Sequence, residues 1–312
     1  MTIITRSLSL MSLLSITTIA AVAQQTQFSK VYNPSIPSKI EICGQIVNLD
    51  DMGYYERYDR ELTSLTYTHG NTLLIIKRAN RYFPQMAPIL RENGMPDDLL
   101  YLACVESMLN PRTVSPAKAA GMWQFMPKTA KEYGLEVSEE VDERYNIEKA
   151  TRAACKYFKK ALKEYDGDWM ATMAAYNGGM ARISSQLEAQ KADNGLELYL
   201  VDETMRYPFR IMATKTIMEH PANYGFILST DQLYYPREVK IIEVNGPVES
   251  WAQWAEDHGT DYLTLRDENP WIRSYKLTNR YGKTYKVRVA TKNSQNRSTA
   301  KKPLYNHNWT VK

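Results

Sequence analysis

Leu99, Leu102, Ala103 and Glu106 recur at the i, i+3, i+4, i+7 spacing of one helical stripe. The segment after Pro96 therefore predicts a helix whose buried face carries three apolar side chains and one carboxyl. Helical periodicity also runs from Tyr54 to Asn93, with an interruption expected at Pro84. Gly94-Met95-Pro96 then breaks the chain, and Pro96 suits the first turn of the next helix. Further helices are expected over residues 128–133, 147–165, 169–176 (with Asp168 as cap) and 207–218. After Pro236 the pattern changes. Residues 239–244 read as a strand, 248–258 as a helix holding Trp251 and Trp254, and 263–269 as a second short helix. Tyr285-Lys286-Val287-Arg288-Val289 alternates as a half-buried strand does. The fold expected is mainly α, a helical body over residues 73–228 followed by a small α/β module over 236–292. An extended and helical lead-in covers 24–72, and a polar, basic tail over 293–312 is expected to be loose.

With 312 residues the chain can hold more than one domain, and 44% hydrophobic with 24% charged residues is ordinary for a globular protein. Its start is not ordinary. Arg6, an apolar run from Leu8 to Val22 and the small-x-small Ala21-Val22-Ala23 read as a secretory signal peptide over residues 1–23, which implies export and a periplasmic location. No Cys stands at the cleavage point to take a lipid. Cys43, Cys104 and Cys155 are odd in number, so at least one thiol is unpaired in a monomer, and Cys104 and Cys155 sit in apolar helical segments as small hydrophobes do. His69, His220, His258 and His307 lack ligand spacing, so neither a metal nor a cofactor is expected.

The net charge of +4 is unevenly spread. From Pro270 onward no Asp or Glu occurs, while eleven Lys and Arg do. Outside the cytoplasm such a block suits weak contact with an anionic surface, with a solvated tail lacking any partner as the other reading. Export argues against nucleic acid.

Glu106 carries the chemistry. Burial disfavours an ionised carboxyl and raises its pKa, and a protonated carboxyl in a cleft is what a glycosidase uses as general acid. A structural Glu paired with an Arg, or one reaching water at the edge of the stripe, fits the same pattern.

Around it lie Glu106-Ser107, Ser115-Pro116, Ala120-Gly121-Met122-Trp123-Gln124-Phe125-Met126-Pro127, Ala174-Ala175-Tyr176-Asn177-Gly178-Gly179 and Glu203-Thr204-Met205-Arg206-Tyr207, in that order. This set resembles the catalytic domain of the soluble lytic transglycosylases, glycoside hydrolase family 23, related to goose-type lysozyme. The lead-in Gly94-Met95-Pro96 before Glu106 and the segment Tyr207 to Leu228 with Tyr224-Gly225 resemble the membrane-bound lytic murein transglycosylase D type. Leu265-Arg266-Asp267-Glu268-Asn269-Pro270 resembles part of a LysM peptidoglycan-binding module, from which the basic, Tyr-rich second half departs.

The resemblance implies a lysozyme-like helical domain with a LysM-like module, acting on peptidoglycan glycan strands without a cofactor. It implies that Glu106 protonates the bond between N-acetylmuramic acid and N-acetylglucosamine. As carboxylate, Glu106 would then deprotonate the muramic C6 hydroxyl, which closes a 1,6-anhydro ring. It assigns Ser115, Gln124, Met126, Tyr176 and Asn177 to the sugar groove, Tyr207 to the orientation of Glu106, and Glu203 to a second carboxylate. Read alone, Ser115 can cap a turn, Met126 and Tyr176 can be core, and Glu203 can favour a helix N-terminus. A lysozyme-like hydrolase and a non-catalytic wall-binding protein remain the alternatives.

Overall fold

The computed structural model describes residues 32–311; the signal-peptide expectation falls on residues outside that range. Helix predominates, with two small antiparallel sheets, as expected for a mainly α chain. The first sheet lies in the lead-in. Strands β1 (Lys39–Ile42) and β2 (Gln45–Asn48) pair antiparallel across Cys43-Gly44. Cys43 at φ 51° and Gly44 at φ 79° supply the two left-handed positions of a tight hairpin turn. Ile40 and Ile42 point inward while Lys39 and Glu41 face solvent.

Helices α1 (Met52–Tyr67) and α2 (His69–Glu92) follow, and α2 runs unbroken through Pro84 and Pro88. The interruption expected at Pro84 is absent because both prolines, four residues apart, fall on the exposed face. The opposite face of α2 buries Phe83, Met86, Ala87 and Leu90 in the core, and that packing holds the helix. Helix α3 (Leu99–Ser107) starts three residues after Pro96, which heads a preceding turn instead of the helix. Next come α4 (Pro127–Glu132), α5 (Ile147–Glu164) and α6 (Trp169–Gly178), whose Asp168 cap accepts from the Met170 amide at 2.7 Å. Helix α7 (Met180–Gln190) was not expected, and α8 (Asp202–Glu219) begins more than a turn before Tyr207. α8 packs against α1, α3 and α6, so the residues that begin α8 stand over the end of α3. Glu61 of α1, almost fully buried, accepts from Arg206 and, at 2.9 Å, from Arg210, which ties α1 to α8.

The C-terminal unit has the strand-helix-helix-strand order read from the sequence: β3 (Val239–Val244), α9 (Trp251–Asp257), α10 (Tyr262–Glu268) and β4 (Tyr285–Ala290), with β3 and β4 antiparallel. Asn269 pins α10 to β4: its amide donates to the Arg288 carbonyl at 2.7 Å and its oxygen accepts from the Arg288 amide at 2.8 Å. This unit is fused to the helical body. Ala120, Val141 and Tyr145 share one apolar cluster with Trp251, Leu265, Trp271 and Val287, and the Asp142 amide donates to the Trp271 carbonyl at 2.9 Å.

The terminal stretch, expected to be loose, is packed. Trp309 is buried against Phe83 and donates its indole N–H to the Met218 carbonyl at 2.6 Å, while the Tyr305 amide donates to Asn80 at 2.9 Å. Two aromatic rings in a basic segment outweigh its polarity by filling space between α2 and α8. Among the described residues no helix is long and apolar enough to cross a membrane.

Candidate active site

Glu106 occupies the last turn of α3, a helix too short to run past it because Met108 (φ 49°) and Leu109 (φ 54°) both turn left-handed. Its carboxyl accepts a hydrogen bond from the buried Tyr207 hydroxyl, which α8 carries across. Burial pushes the Glu106 pKa up to about 7; the Tyr207 hydrogen bond opposes the rise, the Glu203 charge adds to it, and Arg210 opposes it. The partner of the carboxyl is thus a tyrosine. Arg210, the nearest cation in effect, is held by Glu61.

Tyr176, near the end of α6, also feels the Glu106 charge, which adds to burial in raising its pKa. Its ring stacks on Phe158 at 5.1 Å and its hydroxyl donates to the Trp123 carbonyl at 2.6 Å. Asn177 accepts from the Thr204 hydroxyl at 2.8 Å, so α6 and α8 are joined beside the carboxyl. Gly178 leaves room for that junction: a Cβ there would stand 3.0 Å from the Thr204 methyl. Glu203 is exposed in the first turn of α8.

The segment 113–126 forms a compact loop, with backbone pairing of Val114 with Ala120 and of Ala120 with Phe125. Ser115 accepts from the Ala119 amide at 3.0 Å and so caps a turn. The Gln124 amide nitrogen donates to the carbonyls of Thr113 at 3.1 Å and Gly121 at 2.8 Å, so it braces the loop. Met126 is exposed, 42% of its surface open to solvent. Gly121 (φ +82°) is required where it stands, since a Cβ would lie 1.9 Å from the Arg144 carbonyl oxygen. Arg144, buried and paired with Asp142 at 2.7 Å, donates to the carbonyls of Lys118 at 2.7 Å and Phe125 at 3.1 Å. Sequence reasoning missed Arg144, Asp142, Glu61 and Arg210. Only the i, i+4 spacing of Arg206 and Arg210 hinted at any of them.

The arrangement therefore brings Glu106 directly against Tyr207, with Tyr176 and Glu203 within electrostatic reach, and holds Ser115, Gln124 and Met126 on one braced loop. That loop touches α3, since the Ser107 hydroxyl meets the Met122 sulfur at 3.8 Å. Three His/Cys/Asp/Glu side chains placed to hold a metal do not occur together among the described residues.

A helical body that presents one half-buried carboxyl beside tyrosines, followed by a small strand-helix-helix-strand unit, is of the lysozyme-like class. Within that class, residues 86–198 match the transglycosylase SLT domain and residues 240–293 the soluble lytic transglycosylase C-terminal LysM-like domain, so the chain carries both. The first match takes in Glu106 to Asn177 and ends before α8. The chain is homologous to membrane-bound lytic murein transglycosylase D of Escherichia coli (strain K12), 31% identical over 227 residues, 71% of this chain and 48% of that protein. It thus spans about half the length of that relative. It is also similar to the peptidoglycan transglycosylase gp16 of Escherichia phage T7, 40% identical over 100 residues, 31% of this chain and 8% of that one. Among solved structures, the 70 kDa soluble lytic transglycosylase of Escherichia coli superposes with a TM-score of 0.40 at 18% identity, over 55% of this chain and 33% of that chain.

Proposed function

We propose that the protein is a peptidoglycan lytic transglycosylase, a lyase that cuts the bond between N-acetylmuramic acid and N-acetylglucosamine and leaves 1,6-anhydro-muramic ends. The observation that carries this reading is the Glu106 carboxyl, held by the Tyr207 hydroxyl and raised to about 7 by burial, inside the stretch that matches the SLT domain. Near neutrality such a group is present in both protonation states, as an acid that must turn base requires. Glu106 gives its proton to the glycosidic oxygen as the C1–O bond breaks. The resulting carboxylate takes the proton of the muramic C6 hydroxyl, whose oxygen bonds to C1. No water is consumed, and the reacting hydroxyl is already tethered to its target.

Tyr207 positions the carboxyl by engaging one of its oxygens. Tyr176 and Asn177 face the reacting sugar from α6, and Ser115, Gln124 and Met126 line the groove from the braced loop. Glutamine is already bonded through its nitrogen, so its contribution to sugar binding is through its carbonyl oxygen. Glu203 adds negative charge that, after burial, favours the protonated form of Glu106. The same charge favours a second reading, a muramidase in which Glu203 assists an attacking water. Peptidoglycan as substrate places the enzyme in the cell envelope, with residues 1–23 acting as an export signal.

Digestion of purified peptidoglycan in water enriched in oxygen-18 separates the two reactions. The transglycosylase incorporates no label into its new muramic ends. Label at each new reducing end overturns the lyase assignment.

A further inference from the structure

Two arginines flank the tyrosine that holds the Glu106 carboxyl. Arg206 stands one residue before Tyr207 on α8 and Arg210 three residues after it, and a single carboxyl from α1 takes both. Glu61 is buried, and each of its oxygens has its own partner: Oε1 accepts from Arg206 Nε, and Oε2 from Arg210 Nε at 2.9 Å. The two arginines are not equivalent. Arg206 has a second carboxylate, Asp202 at 3.2 Å, which Arg60 shares at 3.3 Å. Arg210 has no ion partner but Glu61 among the described residues. Three residues after Tyr207, Arg210 shares a face of α8 with it, and its charge reaches Glu106. The other groups around Glu106 are the Tyr207 hydroxyl and Glu203 from α8 and Tyr176 from α6, while α2 turns Arg78 to the Met108 carbonyl at 3.0 Å.

We propose that Glu61 is a positioning residue for the general acid: by binding Arg210 it keeps that guanidinium from pairing with Glu106, and through both arginines it holds Tyr207 at the carboxyl. The need follows from the chemistry. An acid must hold a proton near neutrality, whereas a carboxylate paired with an arginine has its pKa lowered by about 1–3 units and gives the proton up. α8 brings Tyr207 to Glu106 and carries Arg210 on the same face, so a second carboxylate has to draw the arginine off. Glu61 is suited to hold it, because a buried carboxylate left without its cations is costly. Loss of Glu61 frees Arg210 and not Arg206, which keeps Asp202. Glu61 lies in the lead-in and the arginines in α8, so all three fall outside residues 86–198 that match the SLT domain. This role rests on the reading of Glu106 as the acid.

The test is a carbon-13 NMR titration of the Glu106 carboxyl in the full chain labelled at glutamate, its signal assigned by its absence in Glu106→Gln. E61Q should lower the Glu106 pKa by about one to two units. Cleavage of peptidoglycan at neutral pH should then fall about five- to fiftyfold, with the protonated fraction. R210Q, which leaves Glu61 bonded to Arg206, should move the pKa the other way, and E61Q/R210Q should titrate with R210Q. A purely structural Glu61 would produce no such opposite shifts. A Glu106 pKa that stays or rises in E61Q, or that falls as far in E61Q/R210Q as in E61Q, overturns the proposal. If E61Q does not fold, R210Q decides alone, and a pKa that stays or falls there overturns the proposal. Cleavage is scored beside the titration. An unmoved pKa in E61Q, with cleavage by the unaltered protein and none by Glu106→Gln, removes the role of Glu61 alone. The expected shifts in a protein that cleaves nothing remove the catalytic reading and leave the competition of Glu61 and Glu106 for Arg210.

Discussion

Replacing Glu106 by Gln should make the protein more stable at neutral and alkaline pH, at the cost of its activity. The carboxyl has an ordinary pKa of 4.5 that burial raises to about 7 in the folded chain. Below the lower value both folded and unfolded chains hold the proton, and Glu106 costs nothing. Between the two values the folded state keeps a proton that the unfolded state releases, so stability falls as pH rises. Above the higher value the full cost is present. At about 1.4 kcal/mol per pKa unit the upper limit is about 3 kcal/mol. The side chain is half-buried, and solvent screening brings the expected gain to about 2 kcal/mol. Gln carries no charge at any pH and still accepts from the Tyr207 hydroxyl. Urea unfolding of both proteins, followed by tryptophan fluorescence on either side of the two pKa values, reads the difference. The variant should gain about 2 kcal/mol on the alkaline side and little on the acid side. An equal effect at both pH values, or a loss on the alkaline side, would refute the argument that burial strains this carboxylate.

Other perturbations bear on the groups around it. Tyr207→Phe removes the hydrogen bond that favours the ionised carboxyl, so the Glu106 pKa should rise and the alkaline limb of the pH–rate profile should move up by about one unit; a limb that stays or moves down contradicts the assignment of Glu106 as the acid. Gly121→Ala drives a Cβ onto the Arg144 carbonyl at 1.9 Å, backbone against backbone, and should cost about 3 kcal/mol or more in thermal unfolding, with loss of activity through the loop. Trp309→Ala empties a buried aromatic site between α2 and α8 and should cost about 3–5 kcal/mol, whereas a loose tail would tolerate it without a change in melting.

Much of this was legible in the chain because one residue broke its own pattern. A carboxyl on an apolar stripe pointed to α3, and the motifs after it located the loop, the end of α6 and the start of α8. The strand-helix-helix-strand unit was legible from alternation at 285–289 and the Val- and Ile-rich stretch at 239–244. Elsewhere local pattern misled. Pro84 and Pro88 signal a break only when the helix lacks a packed face, and Phe83, Met86 and Leu90 provide one. The β1–β2 hairpin is four residues a side with its turn at Cys43-Gly44, too short for alternation to stand out from a Pro-rich lead-in. Helix α7 was missed although Met180, Ile183 and Leu187 keep helical spacing, because only Ile183 becomes buried and the rest of the helix is polar. The tail was misread because charge was weighed over Tyr305 and Trp309. Of the supporting ions, Arg144 and Asp142 are two residues apart and were hidden only because nothing in the chain shows that the pair is buried, whereas Glu61 with Arg210 is a tertiary feature. Glu61 and Arg210 stand 149 residues apart, and no local spacing reveals such a pair.

The LysM-like unit also packs against the loop 113–126. Ala120, beside Gly121 of that loop, is buried against the unit, and Arg273 lies over the Tyr145 ring at 4.4 Å. The module therefore supports the loop that carries Ser115, Gln124 and Met126.

If one carboxyl, Glu106, acts as acid and then as base to make anhydro ends, every such end depends on it. Mass spectrometry of the fragments released from purified peptidoglycan by the unaltered protein and by Glu106→Gln tests it directly. Expected are 1,6-anhydro-muramic ends from the first and none from the second. Anhydro ends released at a comparable rate by Glu106→Gln, or only reducing ends from the unaltered protein, would contradict it.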